Sequence, residues 1–235
     1  MQIVNFNGLI KGRLRGRYKR FFADIELDTG ETITAHCPNP GKMLGLLDDG
    51  TQALVTHLND AKKKLQYRLE ALQSGDTWVG VNTQWPNRII LQAIARGLIL
   101  ELAGYATLRP EVKYGHNSRI DILVSGHDSL PDAWIEIKNV HLSRSAGLAE
   151  FPDCVTERGA KHLYELIEMV KAGDRAVVIF CVQRHDTRAF QIARDCDPGF
   201  AKAYDAARAV GVEFLAIAFE FSPEGLRLDR ALTVI

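Results

Sequence analysis

Two periodicities divide the chain. Up to about residue 85, apolar and polar residues alternate in short runs, the period-two signature of strands with one buried face. Residues 10–20, 20–27, 31–37, 51–58, 65–72 and 78–81 read as strands of this kind. Asp28-Thr29-Gly30-Glu31 is a hairpin turn signal between two of them. Pro38-Asn39-Pro40-Gly41 makes a rigid loop, followed by a short helical pattern at residues 43–47. Several short strands with one small helix predict a small barrel of OB type.

From residue 86 the period changes. Ile89, Ile90, Ala93, Ile94 and Leu98 recur at helical spacing after Pro86, and Gly97 ends the run. Further helices are predicted near residues 156–172, with Leu163, Leu166, Ile167 and Val170 on one face, and near residues 200–210. Strands are predicted at 111–114, 118–124, 134–140, 176–183 and 212–221. This order of helices and strands predicts an α/β unit around a mixed sheet. The boundary falls near residues 80–87, so the expected units are 1–83 and 84–235. The fold class is mixed α/β.

Composition changes this picture little. The 235 residues are 46% hydrophobic and 25% charged, and the net charge is zero. A large core is available, and a uniformly basic coat is excluded. Any basic site is therefore local. Cys37, Cys154, Cys181 and Cys196 are widely spaced and form no CxxC pair. That spacing fits reduced thiols in the cytoplasm better than zinc ligands or a disulfide framework. No apolar run approaches the ~20 residues of a membrane span. The expected setting is cytoplasmic, without membrane partners. The sequence has no HExxH, P-loop, GxGxxG or GxSxG pattern.

Three constellations carry candidate chemistry. In the first, Asp121 lies between Ile120 and Ile122, and Glu136-Ile137-Lys138 follows fifteen residues later. On a strand, Glu136 and Lys138 share a face. A carboxylate among isoleucines is costly to bury unpaired. Two carboxylates and a strand carbonyl, that of Ile137, suit a hard divalent cation such as Mg²⁺ or Mn²⁺. A lysine beside it suits phosphodiester hydrolysis. The other reading is an exposed Glu/Lys pair on a half-buried strand.

In the second, Lys11, Arg13, Arg15, Arg17 and Lys19 occupy every second position, with Arg20 next. A single strand face would then be cationic and track a phosphate backbone, with Tyr18 or Phe21 as a stacking surface. The other reading is a charged edge strand that avoids pairing. In the third, Arg158, Lys161 and His162 are expected on or beside the exposed face of the helix that follows Phe151-Pro152-Asp153. An ordinary surface helix is the simpler reading there.

Together these stretches resemble the sugar fermentation stimulation protein A family. The matching residues include Arg17-Tyr18-Lys19-Arg20-Phe21, Ala35-His36-Cys37-Pro38-Asn39 and Gly80-Val81-Asn82-Thr83. Further along come Ser118-Arg119-Ile120-Asp121, Glu136-Ile137-Lys138-Asn139-Val140, Thr156-Glu157-Arg158-Gly159 and Val182-Gln183-Arg184. They fall in order over nearly the whole chain.

The resemblance implies an OB-fold domain followed by a PD-(D/E)XK nuclease-like domain. It also implies DNA binding without sequence specificity, and a regulatory link to sugar, especially maltose, utilisation. It maps the nuclease motif onto Asp121, Glu136 and Lys138. Lys161 and Gln183 match positions where such nucleases keep polar active-site groups. Many of those nucleases also carry a glutamate on the first helix of the domain. Residues 87–96 hold no acid here, and Glu101 lies just beyond. Two readings therefore stand: a Mg²⁺- or Mn²⁺-dependent nuclease that binds DNA, and a DNA-binding regulator without turnover. A small-molecule phosphodiesterase is a third.

Overall fold

A computed structural model describes residues 1–114 and 118–235. The barrel is built from β2 (Ile10–Tyr18), β3 (Phe22–Leu27), β4 (Thr32–His36), β5 (Gln52–His57) and β6 (Tyr67–Ser74). They pair in the order β4-β3-β2-β5-β6. The parallel pairs Ala35↔Tyr67 and His36↔Arg68 join the two ends and close the ring. Closure removes the free strand edges. Alternation fills the interior with Leu14, Ile25, Val55 and Leu69, and a bulge in β6 between Leu69 and Ala71 brings Leu72 to the same side, all fully buried. The strand β7 (Thr77–Gly80) extends β6.

Residues 43–47 are not a helix. Met43 and Gly45 both have positive φ, at 53° and 77°. Met43 and Leu46 are instead buried in the barrel core, so the apolar spacing there marks a turn.

The second unit begins with α1 (Trp85–Ala95), then β8 (Thr107–Tyr114), β9 (Ser118–Ser125) and β10 (Ala133–Val140). A short hairpin, β11 (Leu142–Ser145) and β12 (Leu148–Phe151), leads to α2 (Glu157–Lys171). The chain then runs through β13 (Arg175–Val182), β14 (Ala189–Ile192), α3 (Pro198–Ala209), β15 (Glu213–Ser222) and β16 (Gly225–Val234). Their sheet order is β11-β12-β14-β16-β15-β13-β10-β9-β8. It is mixed: β10, β13 and β15 are parallel neighbours, while β8-β9-β10 and β15-β16 are antiparallel. The parallel centre reads as near-continuous apolar sequence, as in Ala176–Val182, because both its faces are covered.

Alternation splits the sheet residues between two cores. Ile135, Ile137, Val177, Ile179 and Cys181 pack with α1, and this core also takes in Leu54 and Ala71 of the barrel. Val178, Phe180, Val182 and Val140 pack with α2 and α3. Thr156 caps α2 by accepting from the Gly159 N–H at 3.1 Å, and Asp197 caps α3 through the Phe200 N–H at 2.9 Å. The Asp197 carboxylate also accepts from the Thr156 N–H, so the two helix starts are fixed together.

The first residues depart from the expected partition. The strand β1 (Gln2–Asn5) pairs antiparallel with β16, so the chain starts in the second unit's sheet before entering the barrel. Polar contacts join the two units. The Met43 N–H donates to Asp153 at 2.8 Å, and the Gly80 N–H donates to the Gln183 carbonyl at 2.9 Å. The four cysteines are free thiols. Among the described residues no helix is long and apolar enough to cross a membrane.

Candidate active site

The site forms where β9 and β10 part. Their ladder holds Ala133↔Val124, Trp134↔Leu123 and Ile135↔Ile122, and then ends. The next opposed positions in that register are Glu136 and Asp121. Directly opposed side chains on antiparallel strands are close neighbours, so the two carboxylates face one another. Beyond the fork the Ile137 N–H has left the β9 ladder. It donates instead to Asp121 Oδ2 at 2.7 Å. The other oxygen, Oδ1, accepts from Asn87 Nδ2 on the first turn of α1, also at 2.7 Å.

Glu136 is almost wholly buried and is held from two sides. Its Oε1 accepts from Lys138 Nζ at 2.8 Å and from His162 Nδ1. The ring's other nitrogen, Nε2, accepts from Arg158 Nε at 3.3 Å. That bond fixes the tautomer: a histidine whose Nε2 accepts carries its proton on Nδ1 and donates it to Glu136. Glu136 Oε2 is buried and has no partner. All of these groups line one cleft of about 720 Å³, together with Ile137, Lys161, Arg119 and Glu111.

Burial alone would raise both carboxyl pKa values. For Asp121, burial and then the neighbouring Glu136 charge push the pKa up to about 6, against the bonds from Ile137 and Asn87. For Glu136, burial is the largest single influence, but Lys138 and His162 together outweigh it, and its pKa falls below the ordinary value. The pair therefore splits, with Glu136 ionised and Asp121 holding its proton more tightly.

This split has a consequence for stability. The folded pKa of Asp121 lies above the unfolded value of 3.8. Its stabilising share is full below pH 4 and is lost as pH rises through about 6. Asp121→Asn is therefore expected to flatten the acid-to-neutral decline in stability of the metal-free protein. The pH-dependent part removed between pH 4.5 and pH 8 should be roughly 2–3 kcal/mol, on top of a pH-independent cost for losing one of the bonds from Asn87 and Ile137. Urea melts at pH 4.5 and pH 8 check this; a variant that loses as much stability between the two pH values as the parent would refute the assignment.

The arrangement fits a divalent cation. Two carboxylates crowd together, one holds an unpartnered buried oxygen, and the donors are hard oxygens. Among the described residues no three His, Cys, Asp or Glu side chains are grouped to share a metal. Two carboxylates with a strand carbonyl are a donor set that suits a hard divalent cation.

The structure brings Asp121, Glu136, Ile137, Lys138 and Lys161 together in this cleft. Lys161 also lies 3.6 Å from Glu165. Gln183 is elsewhere. It has the alternation parity of Cys181, so it projects from the face opposite to Glu136 and Lys138. There it is fully buried, with Nε2 donating to Asn139 Oδ1 at 2.6 Å, and it packs under Gly80 of the barrel. Glu101 lies in a short 3₁₀ turn (Leu100–Leu102), outside the residues lining the cleft. Asn87, not an acid, reaches the site from the first helix. His162 is not on the exposed face: the buried stripe of α2 includes Gly159 and His162 beside Leu163, Leu166 and Ile167. Its spacing of four before Leu166 carries that signal. Arg158 stays exposed and joins the cleft wall.

The basic strand is also rearranged. A bulge at Arg15 interrupts the β2–β3 register, with Leu14 opposite Ile25 but Gly16 opposite Asp24. One extra residue reverses every later side chain. Lys11, Arg13 and Arg15 stay outside, with Arg15 paired to Glu26 and Asp49. Arg17 falls opposite the buried Ala23 and turns inward. Its guanidinium donates to the carbonyls of Arg20, Gly41 and Asn39, so it holds the 38–43 loop and is not presented on the cationic face. Lys19 and Arg20 sit exposed at the hairpin tip, both with positive φ.

Fold and site together define a two-unit protein: a closed OB-like barrel joined to a mixed α/β sheet with a carboxylate–lysine cleft at a strand fork. Family models for the "SfsA N-terminal OB domain" and the "Sugar fermentation stimulation protein RE domain" match residues 16–81 and 84–225. The chain belongs to the sugar fermentation stimulation protein family. It is 49% identical over 224 residues to the "Sugar fermentation stimulation protein homolog" of Caulobacter vibrioides, covering 95% of this chain and 93% of that one. It is 51% identical over 229 residues to the homolog of Dinoroseobacter shibae, covering 96% and 93%. The solved structure of Pyrococcus furiosus SfsA in complex with Ca²⁺ superposes with a TM-score of 0.89 over 100% of this chain and 99% of that one, at 24% identity. That likeness establishes the fold.

Proposed function

We propose that this protein binds DNA without sequence specificity and hydrolyses its phosphodiester backbone with a divalent cation. The observation that carries the reading is the fork: Asp121 and Glu136 opposed, with Lys138 and His162 on one Glu136 oxygen and the other oxygen buried without a partner. Asp121, Glu136 and the Ile137 carbonyl would hold Mg²⁺ or Mn²⁺. A Ca²⁺ complex is the form in which the Pyrococcus furiosus relative was solved, which supports a divalent ion in this family. The cation supplies Lewis-acid polarisation of a phosphoryl oxygen.

The chain's own residues supply the rest. His162 and Lys138 fix the rotamer of Glu136. Asn87 and the Ile137 N–H fix Asp121. The Lys138 ammonium, beside the carboxylates, stabilises charge that grows on the phosphate and orients the attacking water. Arg158 and Lys161 line the cleft and face an anionic substrate with positive charge.

Asn87 favours a second reading. Where many nucleases of the resembled fold place a helix glutamate, this chain places a neutral donor that consumes an Asp121 oxygen. In that reading the protein occupies DNA without cutting it, and its effect on sugar utilisation comes from occupancy. Incubation of the purified protein with linear and circular DNA, with Mg²⁺ or Mn²⁺, separates the two. Cleavage supports the first reading, and binding without cleavage under every condition supports the second.

A further inference from the structure

The barrel carries a feature that the cleft does not explain. Cross-strand pairing places Tyr18 opposite Phe22, Phe22 opposite His36, and His36 opposite Arg68. Opposed residues share a face, so a row of three rings and a guanidinium crosses β2, β3, β4 and β6 on the outside of the barrel. Tyr18 and Phe22 stack with ring centres 5.4 Å apart and planes 10° apart. Phe21, turned outward at the hairpin tip, stacks over His36 at 6.3 Å and 17°. Tyr18 and Phe21 are 43% and 44% exposed. The rings pack on one another along one face and leave a contiguous aromatic patch open to solvent.

Charge of both signs borders the row: Asp24 accepts from the Tyr18 hydroxyl at 3.4 Å, and cations collect at the hairpin tip. Lys19 and Arg20 flank Phe21 in the turn and have no ion pair among the described residues. Burial, then the charges of Arg68 and Lys63, holds the His36 ring below its ordinary pKa, and Phe21 lies over that ring. In an OB barrel this place, the first hairpin and the adjoining strands, is where oligonucleotides lie. The row also leads toward the cleft. Arg68 NH1 donates to Gln84 Oε1 at 3.2 Å, and Gln84 precedes the first turn of α1, from which Asn87 reaches Asp121.

We propose that Tyr18, Phe21, Phe22 and His36 form a stacking platform for unpaired bases, so that the barrel takes single-stranded DNA and passes that strand to the cleft. Duplex DNA offers phosphates to Lys19 and Arg20 but hides its base faces. Only an unpaired strand can use both the rings and the cations. This rests on the nucleic-acid reading above and adds the class of substrate.

The test is fluorescence anisotropy with a labelled 15-nucleotide oligo-dT, its duplex with oligo-dA, and an oligo-U of the same length. The parent protein is compared with Phe21→Ala, Tyr18→Ala, Phe21→Trp and the double variant Lys19→Ala/Arg20→Ala. The substituted residues are exposed, and a thermal melt verifies folding. Each ring removed should weaken oligo-dT binding roughly 5- to 100-fold. The duplex should change less than about two-fold, and Phe21→Trp should restore oligo-dT binding. Salt slopes should stay unchanged for the ring variants and flatten for the lysine–arginine variant. Equal losses on single strand and duplex, or none on either, would overturn the platform while leaving a DNA-binding protein. Tighter binding of oligo-U than oligo-dT through the same rings would overturn the assignment to DNA. A parent protein that binds none of the three would overturn the platform and the nucleic-acid reading together.

Discussion

Lys138→Ala is expected to abolish cation-supported DNA cleavage while leaving DNA affinity within about two-fold. The loss in turnover should be at least roughly 10²–10³-fold, the scale found when one group that stabilises transition-state charge is removed. Two effects combine. The ammonium that faces the developing phosphate charge disappears. Glu136 also loses one of the two donors on Oε1, and the strongest opposition to its burial. Its pKa then rises and its hold on a cation weakens. Lys138→Arg should recover little, because the wider guanidinium does not fit a side chain only 10% exposed between β10 and α2. Single-turnover cleavage with saturating protein checks this. Cleavage by Lys138→Ala at the parental rate would show that the lysine has no part in the reaction.

The second large effect lies far from the cleft. Glu70 on β6 is fully buried, and its carboxylate accepts four side-chain donors. Thr56 Oγ1 and Arg68 Nε bond Oε1 at 2.8 and 2.7 Å. Asn82 Nδ2 and Trp85 Nε1 bond Oε2, each at 2.7 Å. Two donors belong to barrel strands, Asn82 lies in the link after β7, and Trp85 opens α1 of the second unit, so one carboxylate joins them. Glu70→Ala removes the acceptor, leaves the buried amide of Asn82 and indole N–H of Trp85 without a partner, and takes the ion-pair partner of the partly exposed Arg68. Each buried donor left unpaired costs about 1–3 kcal/mol. At about 2–4 °C per kcal/mol for a chain of this size, the melting temperature should fall by roughly 4–24 °C. Glu70→Gln should fall between the two, since it keeps an acceptor but turns an amine toward donors. Circular dichroism melts decide it. A fall of under about 2 °C for Glu70→Ala would show that the joint does not depend on this residue.

These two residues show what was legible in the sequence. Lys138 was readable because strand alternation alone puts it beside Glu136, and Asp121 among isoleucines demanded a partner. Glu70 was not. It sits in an apolar strand, and its partners Asn82 and Trp85 meet it only once the link after β7 folds back over β6. The same limit hid Asn87, a neutral side chain where an acid was sought. Arg17 and Gln183 failed for a different reason. Both depend on strand parity: a bulge at Arg15 turns Arg17 inward, and a count from Cys181 sends Gln183 to the far face. The barrel and the mixed sheet followed from periodicity. The return of β1 to the second sheet did not, because four residues carry too little pattern to name a partner strand.

The central claim is that Asp121 and Glu136 together hold a divalent cation. Mn²⁺ titration followed by the electron paramagnetic resonance of free Mn²⁺, at pH 7.5, tests it without reference to turnover. The account predicts one Mn²⁺ per chain, with affinity weakened at least about ten-fold in Asp121→Asn and in Glu136→Gln, and an affinity that rises with pH through about 6 as Asp121 ionises. Unchanged Mn²⁺ binding in both variants, or no binding by the parent protein with or without DNA, would contradict it.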